Sequence, residues 1–141
     1  MIVPFIPAHL DGFKVFEWMG HIQDKLKPGY AEALSLYPSY SMVIEGSVIA
    51  CGGAIPTGDH KYMAWALMGE NTAPHMLPLT REILNFFSLF EAKRIEAHVR
   101  SDFKQGIRWM NILGFQCETP EPMKYWGDDE MDYFQFSRVK A

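Results

Sequence analysis

The sequence predicts one α/β domain in which a mixed β-sheet is flanked by helices. Three observations support this prediction. The 141 residues supply one hydrophobic core, since 48% are hydrophobic and 21% are charged. β-rich segments joined by tight turns occupy the middle of the chain. An amphipathic helix followed directly by an alternating strand comes next, which favours a parallel strand pair in an otherwise antiparallel sheet.

The first half of the chain predicts a short strand, two helices and a three-stranded meander. Helical spacing starts at Ala8, and Gly12 weakens that helix by about 1 kcal/mol relative to alanine. Turn residues separate the three meander segments. The predicted strands are residues 2–6, 40–44, 48–51 and 60–68, the helices are residues 8–25 and 30–36, and the turns are residues 45–47 and 56–59.

The second half predicts two helices that alternate with strands. Apolar residues spaced three and four apart from Met76 to Phe90 predict an amphipathic helix. Pro78 is tolerated only in a first turn, so the helix should begin between Pro74 and Leu77. The remaining elements are a strand over 94–100, a helix over 103–113 and strands over 115–119 and 131–139. The total is six to seven strands and about four helices.

Composition argues against several classes of function. A net charge of −4 without a basic stripe lacks the footprint of nucleic-acid binding. No apolar run reaches the roughly 20 residues that span a bilayer, and the amino terminus does not resemble a signal peptide, so we expect a cytoplasmic protein. Cys51 and Cys117 are expected to be buried, reduced thiols. The five histidines show no ligand spacing, so no metal site is predicted.

A late helix that runs into Leu113-Gly114-Phe115 gives the most specific local motif. Glycine at such a position relieves left-handed backbone strain at a helix end. Together with the order of strands and helices, residues 107–115 resemble the corresponding helix and turn of the GNAT (Gcn5-related) N-acetyltransferase superfamily. The resemblance covers nearly the whole chain as a single GNAT-like domain, residues 1–141. It implies transfer of an acetyl group from acetyl-CoA to an amine.

The resemblance also implies where acetyl-CoA would bind. In the family the cofactor lies between two splayed parallel strands, and its pyrophosphate rests on backbone amides at the start of the central helix. Residues 69–78 occupy that place but lack the family's Gln/Arg-x-x-Gly-x-Gly/Ala pattern, and Pro74 and Pro78 remove two amide donors. The cofactor-binding candidates carried over are Leu67, Met68, Asn71, Thr72, Ala73, His75, Met76 and Leu77.

The catalytic acid of the family has no direct counterpart here. Many members place a tyrosine four residues before the Leu-Gly-Phe glycine, where this sequence has Met110, which cannot transfer a proton. Tyr125 and His75 are the candidate substitutes, and Glu70 is a candidate base acting through water. Alternatively, His75 is a structural histidine that hydrogen-bonds the loop, and Glu70 is a solvated acid. His98 is expected to be a paired structural histidine.

A narrower resemblance suggests a second function. The segments that carry it resemble small GNAT-like proteins encoded by phages and prophages, some of whose relatives are internal virion proteins of short-tailed phages. It implies a virion or accessory protein that acts through phage or host proteins, in the host cytoplasm or the virion. We also expect that an edge strand over 131–139 can pair between subunits of a homodimer. The matching segments are residues 73–77, 79–81, 94–97, 108–109, 113–115 and 133–138.

Overall fold

The computed structural model describes residues 1–16 and 29–140. Short 3-10 turns at Pro7–Leu10 and Ala73–His75 supplement three α-helices and seven strands within this part of the chain. The strands are β1 (Ile2–Pro4), β2 (Ser39–Ile44), β3 (Ser47–Pro56), β4 (Lys61–Met68), β5 (Arg94–Arg100), β6 (Gln116–Cys117) and β7 (Tyr133–Val139). The helices are α1 (Tyr30–Ser35), α2 (Met76–Leu89) and α3 (Lys104–Ile112).

The strands form a mixed seven-stranded sheet in the order β1-β2-β3-β4-β5-β7-β6. β4 and β5 are parallel, as the crossover through α2 predicts, and they pair over residues 61–63 and 94–96. The pairs β1–β2, β2–β3, β5–β7 and β6–β7 are antiparallel. The predicted mixed sheet of six to seven strands flanked by helices is confirmed.

The first predicted helix is wrong over residues 11–16. A 3-10 turn at Pro7–Leu10 ends at Asp11, and Gly12 adopts a left-handed backbone with φ 69°. Val15 then forms an antiparallel bridge with Gly69. Hydrogen bonding to the end of β4 therefore overrides the helical spacing of these residues. The rest of that predicted helix, residues 17–25, lies outside the described residues.

Contacts divide the chain into two compact units. The first contains Met1–Ile55 and Ala64–Phe86. Its core combines Phe5, Leu10, Phe13, Ala31, Leu34, Cys51 and Leu67. The rings of Phe5 and Trp65 meet edge to face at 5.6 Å, an arrangement that aromatic pairs favour.

The second unit contains Pro56–Met63 and Phe87–Ala141. Along β5, Ile95, Ala97 and Val99 are buried while the residues between them are half-buried, which confirms the predicted alternation. Phe136 and Phe115 are almost completely buried, and the ring of Phe115 meets that of Phe87 edge to face at 5.5 Å.

Two predictions about individual elements need correction. Cys51 is a buried free thiol, but Cys117 is exposed because it lies in the short outer strand β6. β7 was expected at a sheet edge, yet it lies between β5 and β6. β7 is therefore not an edge strand, and the outer strands of the sheet are β1 and β6. Across residues 1–16 and 29–140, none of the helices is long and apolar enough to cross a bilayer.

Candidate functional site

The end of β4 packs closely against its neighbours at Gly69. The Gly69 N–H donates to the carbonyl oxygen of Ile49 on β3 at 3.0 Å. A Cβ atom at this position would lie 2.9 Å from that oxygen and 3.2 Å from the ring of Phe13. Gly69 therefore lets the chain leave β4 while staying in contact with β3 and with Phe13.

Residues 14–16 pair with the chain at the point where β4 ends. The Phe16 N–H donates to the carbonyl oxygen of Met68 at 2.8 Å, and the Glu70 N–H donates to that of Lys14 at 3.1 Å. These bonds flank the bridge between Val15 and Gly69. The backbone amide of Glu70 is thus engaged within the chain, while its side chain is exposed.

Thr72 holds the loop that follows. Its side chain is buried, and its hydroxyl lies within hydrogen-bond distance of the carbonyl oxygens of Gly69 (2.6 Å) and Ile49 (3.2 Å). The Thr72 N–H donates to Gly69 as well, and its carbonyl accepts from the His75 N–H at 2.8 Å. The hydroxyl and the N–H of Thr72 therefore both bond within the protein, and neither is directed towards a ligand.

The groups that face outward lie at the start of α2. Asn71, Ala73 and Leu77 are exposed, and His75 and Met76 are half-buried. The 3-10 turn at Ala73–His75 runs directly into α2, which places the helix start where the sequence predicts it. The aligned peptide dipoles of α2 give this end partial positive charge, although the 3-10 turn already provides an acceptor for the His75 N–H at the Thr72 carbonyl. Its geometry suits an anionic ligand.

Leu67 and Met68 are the buried last residues of β4, beyond the residues that pair with β5. Successive amides along a strand point to opposite edges. Since the Gly69 N–H points to β3, that of Leu67 does too, and that of Met68 points to the other edge. Of these two candidates, only Met68 directs its backbone away from β3, to the edge where its carbonyl oxygen accepts from the Phe16 N–H.

Tyr125 belongs to the second unit, in the loop between β6 and β7. Its side chain is 77% exposed and its backbone is left-handed, with φ 55°. The Tyr125 N–H donates to a carboxylate oxygen of Asp132 at 3.0 Å, which holds this unusual conformation. The phenol is therefore displayed to solvent. Met110, which the resemblance aligns with the family's tyrosine, is buried.

His98 on β5 is paired, as the sequence predicts. Its Nε2 lies 3.3 Å from Oε1 of Gln135, and its ring stacks on Trp126 with centroids 4.1 Å apart. Burial lowers the pKa of His98, although the bond to Gln135 and the charge of Glu96 oppose this shift. A neutral, stacked imidazole fits a structural role.

A network of charged side chains continues from Gln135. The Arg94 guanidinium donates to both carboxylate oxygens of Glu118, and its Nε donates to Glu96 at 2.6 Å. Gln135 donates its Nε2 to Glu118 at 3.3 Å. The bonds from Arg94 lower the pKa of Glu118 to about 2, with further help from Ser137 and Gln135. We call Arg94, Glu96, Glu118, Gln135 and His98 the ion-pair network.

The stretches 1–16 and 29–140 contain no group of three or more histidine, cysteine, aspartate or glutamate side chains arranged to hold a metal ion. The acidic residues near Tyr125 are engaged with the protein. Asp129, for example, accepts from the Tyr133 hydroxyl at 2.9 Å and lies near Arg100. The groups available for chemistry near the start of α2 are therefore backbone amides, the carboxylate of Glu70 and the imidazole of His75.

Sequence reasoning missed the pairing of residues 14–16 with the end of β4 and the stacking of Trp126 on His98. Neither contact has a local signal, because each joins segments that are far apart in the chain. The position of the helix start was predictable from Pro78. The candidate residues between Leu67 and Leu77 lie on one continuous segment of the first unit.

Solved structures with the same fold cover nearly the whole chain. Ard1 from Thermoplasma volcanium is 16% identical, with a TM-score of 0.74 over 100% of this chain and 97% of that chain. The ribosomal-protein-S18-alanine N-acetyltransferase from Escherichia coli is 13% identical, with a TM-score of 0.69 over 99% and 92%. An acetyltransferase of the GNAT family from Streptococcus pneumoniae is 11% identical, with a TM-score of 0.70 over 100% and 99%.

No protein-family model matches the sequence, and no curated protein matches it. The structural similarity nevertheless extends over 100% of this chain. The chain has the fold of the GNAT acetyltransferases. At identities of 11–16% this similarity defines the fold, and the chemistry has to be argued from the residues.

Proposed function

We propose that the protein is an N-acyltransferase that transfers an acetyl group from acetyl-CoA to an amine. The observation that carries the proposal is the GNAT fold over the whole described chain, with an outward-facing helix start directly after β4. A loop built to expose such a start suits a polyphosphate-bearing substrate. Fold alone does not assign the reaction, so the proposal also rests on these residues.

The cofactor candidates divide into two groups with different roles. Thr72 shapes the loop through its inward bonds. Asn71 and Ala73 are exposed, and together with backbone amides at the start of α2 they are proposed to hold the pyrophosphate; the candidates in α2 are Met76 and Leu77. Pro74 and Pro78 cannot donate, so the exposed amide side chain of Asn71 becomes more important for the anion than it would be in a glycine-rich loop.

Acetyl-CoA supplies the activated acetyl group as a thioester. The lone pair of the amine forms the new C–N bond, the C–S bond breaks, and the departing thiolate takes up a proton. The exposed carboxylate of Glu70 is the proposed acceptor of the proton that the amine loses, through water. The amide of Met68 is the proposed donor to the carbonyl oxygen, and this role requires residues 14–16 to leave the edge of β4 that they occupy. His75, in the same unit as Glu70 and Met68, is the candidate donor of the proton to the thiolate. Tyr125, the other candidate from the sequence, lies in the second unit.

The alternative is a GNAT-fold protein of a phage particle, or a phage accessory protein, that acts through contacts with phage or host proteins. Two observations favour it. Met110 is buried and cannot serve as the acid. Tyr125 and Trp126 are also exposed aromatic residues on a polar loop, which is typical of a contact surface.

Release of free CoA thiol tests the proposal. Purified protein is incubated with acetyl-CoA and a panel of amines that includes a polyamine, a lysine peptide and a peptide with an amino-terminal alanine. We expect acceptor-dependent thiol release, reduced about a hundredfold in Glu70→Gln, since general bases contribute roughly that much or more. Glu70 is exposed, so this variant should keep the stability of the wild type.

The tests distinguish the two functions. Thiol release that does not exceed the enzyme-free control with any amine would contradict the transferase. Stable recovery of the protein in phage particles, lost in a Tyr125→Ser/Trp126→Ser double variant, would then support the alternative.

A further inference from the structure

The second unit contains a cavity of about 380 Å³ that shares no residue with the loop after β4. It lies between the carboxyl-terminal end of α2 and the ends of β5 and β7. Its apolar wall includes Phe87, Phe90, Ala92 and Ile95. Small-molecule sites in proteins usually measure about 300–1,000 Å³, so the cavity has room for a small ligand.

The apolar wall is fixed by packing. Phe87, Ala92 and Ile95 are buried in the second unit. The Phe87 ring packs edge to face on Phe115, and the Phe90 ring packs in the same way on Tyr62 at 4.7 Å. Side chains held in this way do not have to reorganise to accept a ligand, which lowers the cost of binding.

Two cations, Arg138 and Lys140, line the cavity, and none of its described lining residues carries a carboxylate side chain. The guanidinium carbon of Arg138 lies 5.2 Å from the centre of the Phe87 ring, so its charge is held over the apolar wall. Among the described residues, Arg138 and Lys140 take part in none of the ion pairs. Arg94 and Arg100, in contrast, are both paired with carboxylates.

The backbone of Lys140, the second cation, is held by the main chain. The Lys140 N–H donates to the carbonyl oxygen of Lys93 at 2.9 Å, which continues the β5–β7 ladder past Val139. Gly114 also lines the cavity, with φ 88°, and a Cβ atom there would lie 3.2 Å from Nε of Arg138. Glycine at this turn therefore leaves space beside the guanidinium.

We infer that this cavity binds a small organic carboxylate, with its carboxylate on Arg138 and Lys140 and its apolar body against Phe87, Phe90 and Ile95. A guanidinium presents a planar fork of donors that matches a carboxylate in two parallel hydrogen bonds. The apolar wall excludes ligands that are charged along their whole length, because burying an unpaired charge there is costly. The ligand is therefore a monoanion with an apolar chain or ring.

Binding of octanoate to the full chain tests the inference. Amide signals of ¹⁵N-labelled protein are followed by NMR during titration with octanoate, 1-octanol and octylammonium, which share one chain length. We expect octanoate to shift signals of residues 87–92 and 138–140, with an affinity about tenfold higher than that of octanol. Octylammonium should bind more weakly than octanol because it meets two cations.

Charge-removing variants separate the carboxylate contact from simple apolar binding. Arg138→Met keeps an unbranched apolar stem over Phe87, and it should reduce octanoate affinity about tenfold, to that of octanol. Arg81→Met removes one charge from an exposed position elsewhere on α2 and should leave the affinity unchanged. Lys140→Gln changes an exposed side chain and should reduce the affinity for octanoate severalfold. This variant therefore tests the inference if Arg138→Met fails to fold.

Three results would overturn the inference. One is equal binding of octanoate and octanol. Another is octanoate affinity that neither Arg138→Met nor Lys140→Gln changes. The third is the absence of signal shifts in residues 87–92 and 138–140 at roughly 10 mM octanoate.

Discussion

The loop over residues 69–75 and the ion-pair network satisfy their polar groups in different ways. In the loop, Gly69, Thr72 and Ile49 are joined by backbone bonds and one neutral hydroxyl. In the network, charged and amide side chains bond one another. The loop should therefore keep its shape over a wide range of pH and salt. Its outward groups at Asn71 and His75 remain available because they are not needed to hold it together.

The largest effect on the loop should come from Gly69→Ala. The added methyl group would meet the carbonyl oxygen of Ile49 at 2.9 Å and the ring of Phe13 at 3.2 Å. Neither atom lies at the end of a flexible chain, so the strand end must shift. We expect a loss of about 2–3 kcal/mol in the free energy of unfolding, measured by denaturant titration.

Gly58→Ala is the matched control for this substitution. A methyl group there approaches the flexible end of the Lys61 side chain, which can move. Its effect should stay within about 0.5 kcal/mol. Equal losses in the two variants would show that Gly69 has no special packing role.

A smaller effect is expected for Thr72→Val, which keeps the shape of the side chain and removes the hydroxyl. The carbonyl oxygens of Gly69 and Ile49 lose a donor, and we expect a loss of about 1–2 kcal/mol. Thr72→Ser restores the donor and should recover most of this loss. If thermal unfolding of Thr72→Ser is no better than that of Thr72→Val, the hydroxyl does not hold the loop.

The ion-pair network should respond to pH, unlike the loop. Contact with Arg94 lowers the pKa of Glu118 from 4.5 to about 2 in the folded protein. A depressed pKa means that the stabilisation is fully present above pH 4.5 and is lost as the pH falls towards 2. Because both side chains are partly exposed, we expect a contribution of about 1 kcal/mol or less.

Glu118→Gln should flatten this part of the pH dependence. The variant keeps an acceptor for Arg94 but has no carboxylate to protonate. Free energies of unfolding of wild type and variant, measured by urea titration at several pH values, should differ at pH 6 and converge near pH 2. A difference that does not change with pH would mean that the ionised form of Glu118 is not what stabilises the network.

The sequence predicted the second half of the fold well because its periodicities are strong. The alternation along β5 and the position of Pro78 fixed the strand and the start of α2 within a residue or two. Residues 11–16 were misassigned because Leu10, Phe13 and Phe16 fit helical spacing. In the structure residues 14–16 instead pair with the end of β4, a long-range contact that local patterns do not encode.

The candidate site was predictable only as a segment. The sequence located residues 67–77 after a strand and before a helix, but it could not separate the inward Thr72 from the outward Asn71. That distinction depends on bonds from Gly69 and Ile49, which become neighbours only when β3 and β4 pair. The proposed role of residues 67–77 in binding acetyl-CoA stays a prediction.

Calorimetric titration with acetyl-CoA tests this role most directly. Asn71→Asp is almost isosteric and adds one negative charge at an exposed position beside the start of α2. We expect micromolar binding by the wild type, about tenfold weaker binding by Asn71→Asp because of charge repulsion, and a smaller loss in Asn71→Ala. No binding at roughly millimolar acetyl-CoA, or equal affinity in Asn71→Asp and wild type, would contradict a pyrophosphate site at this loop.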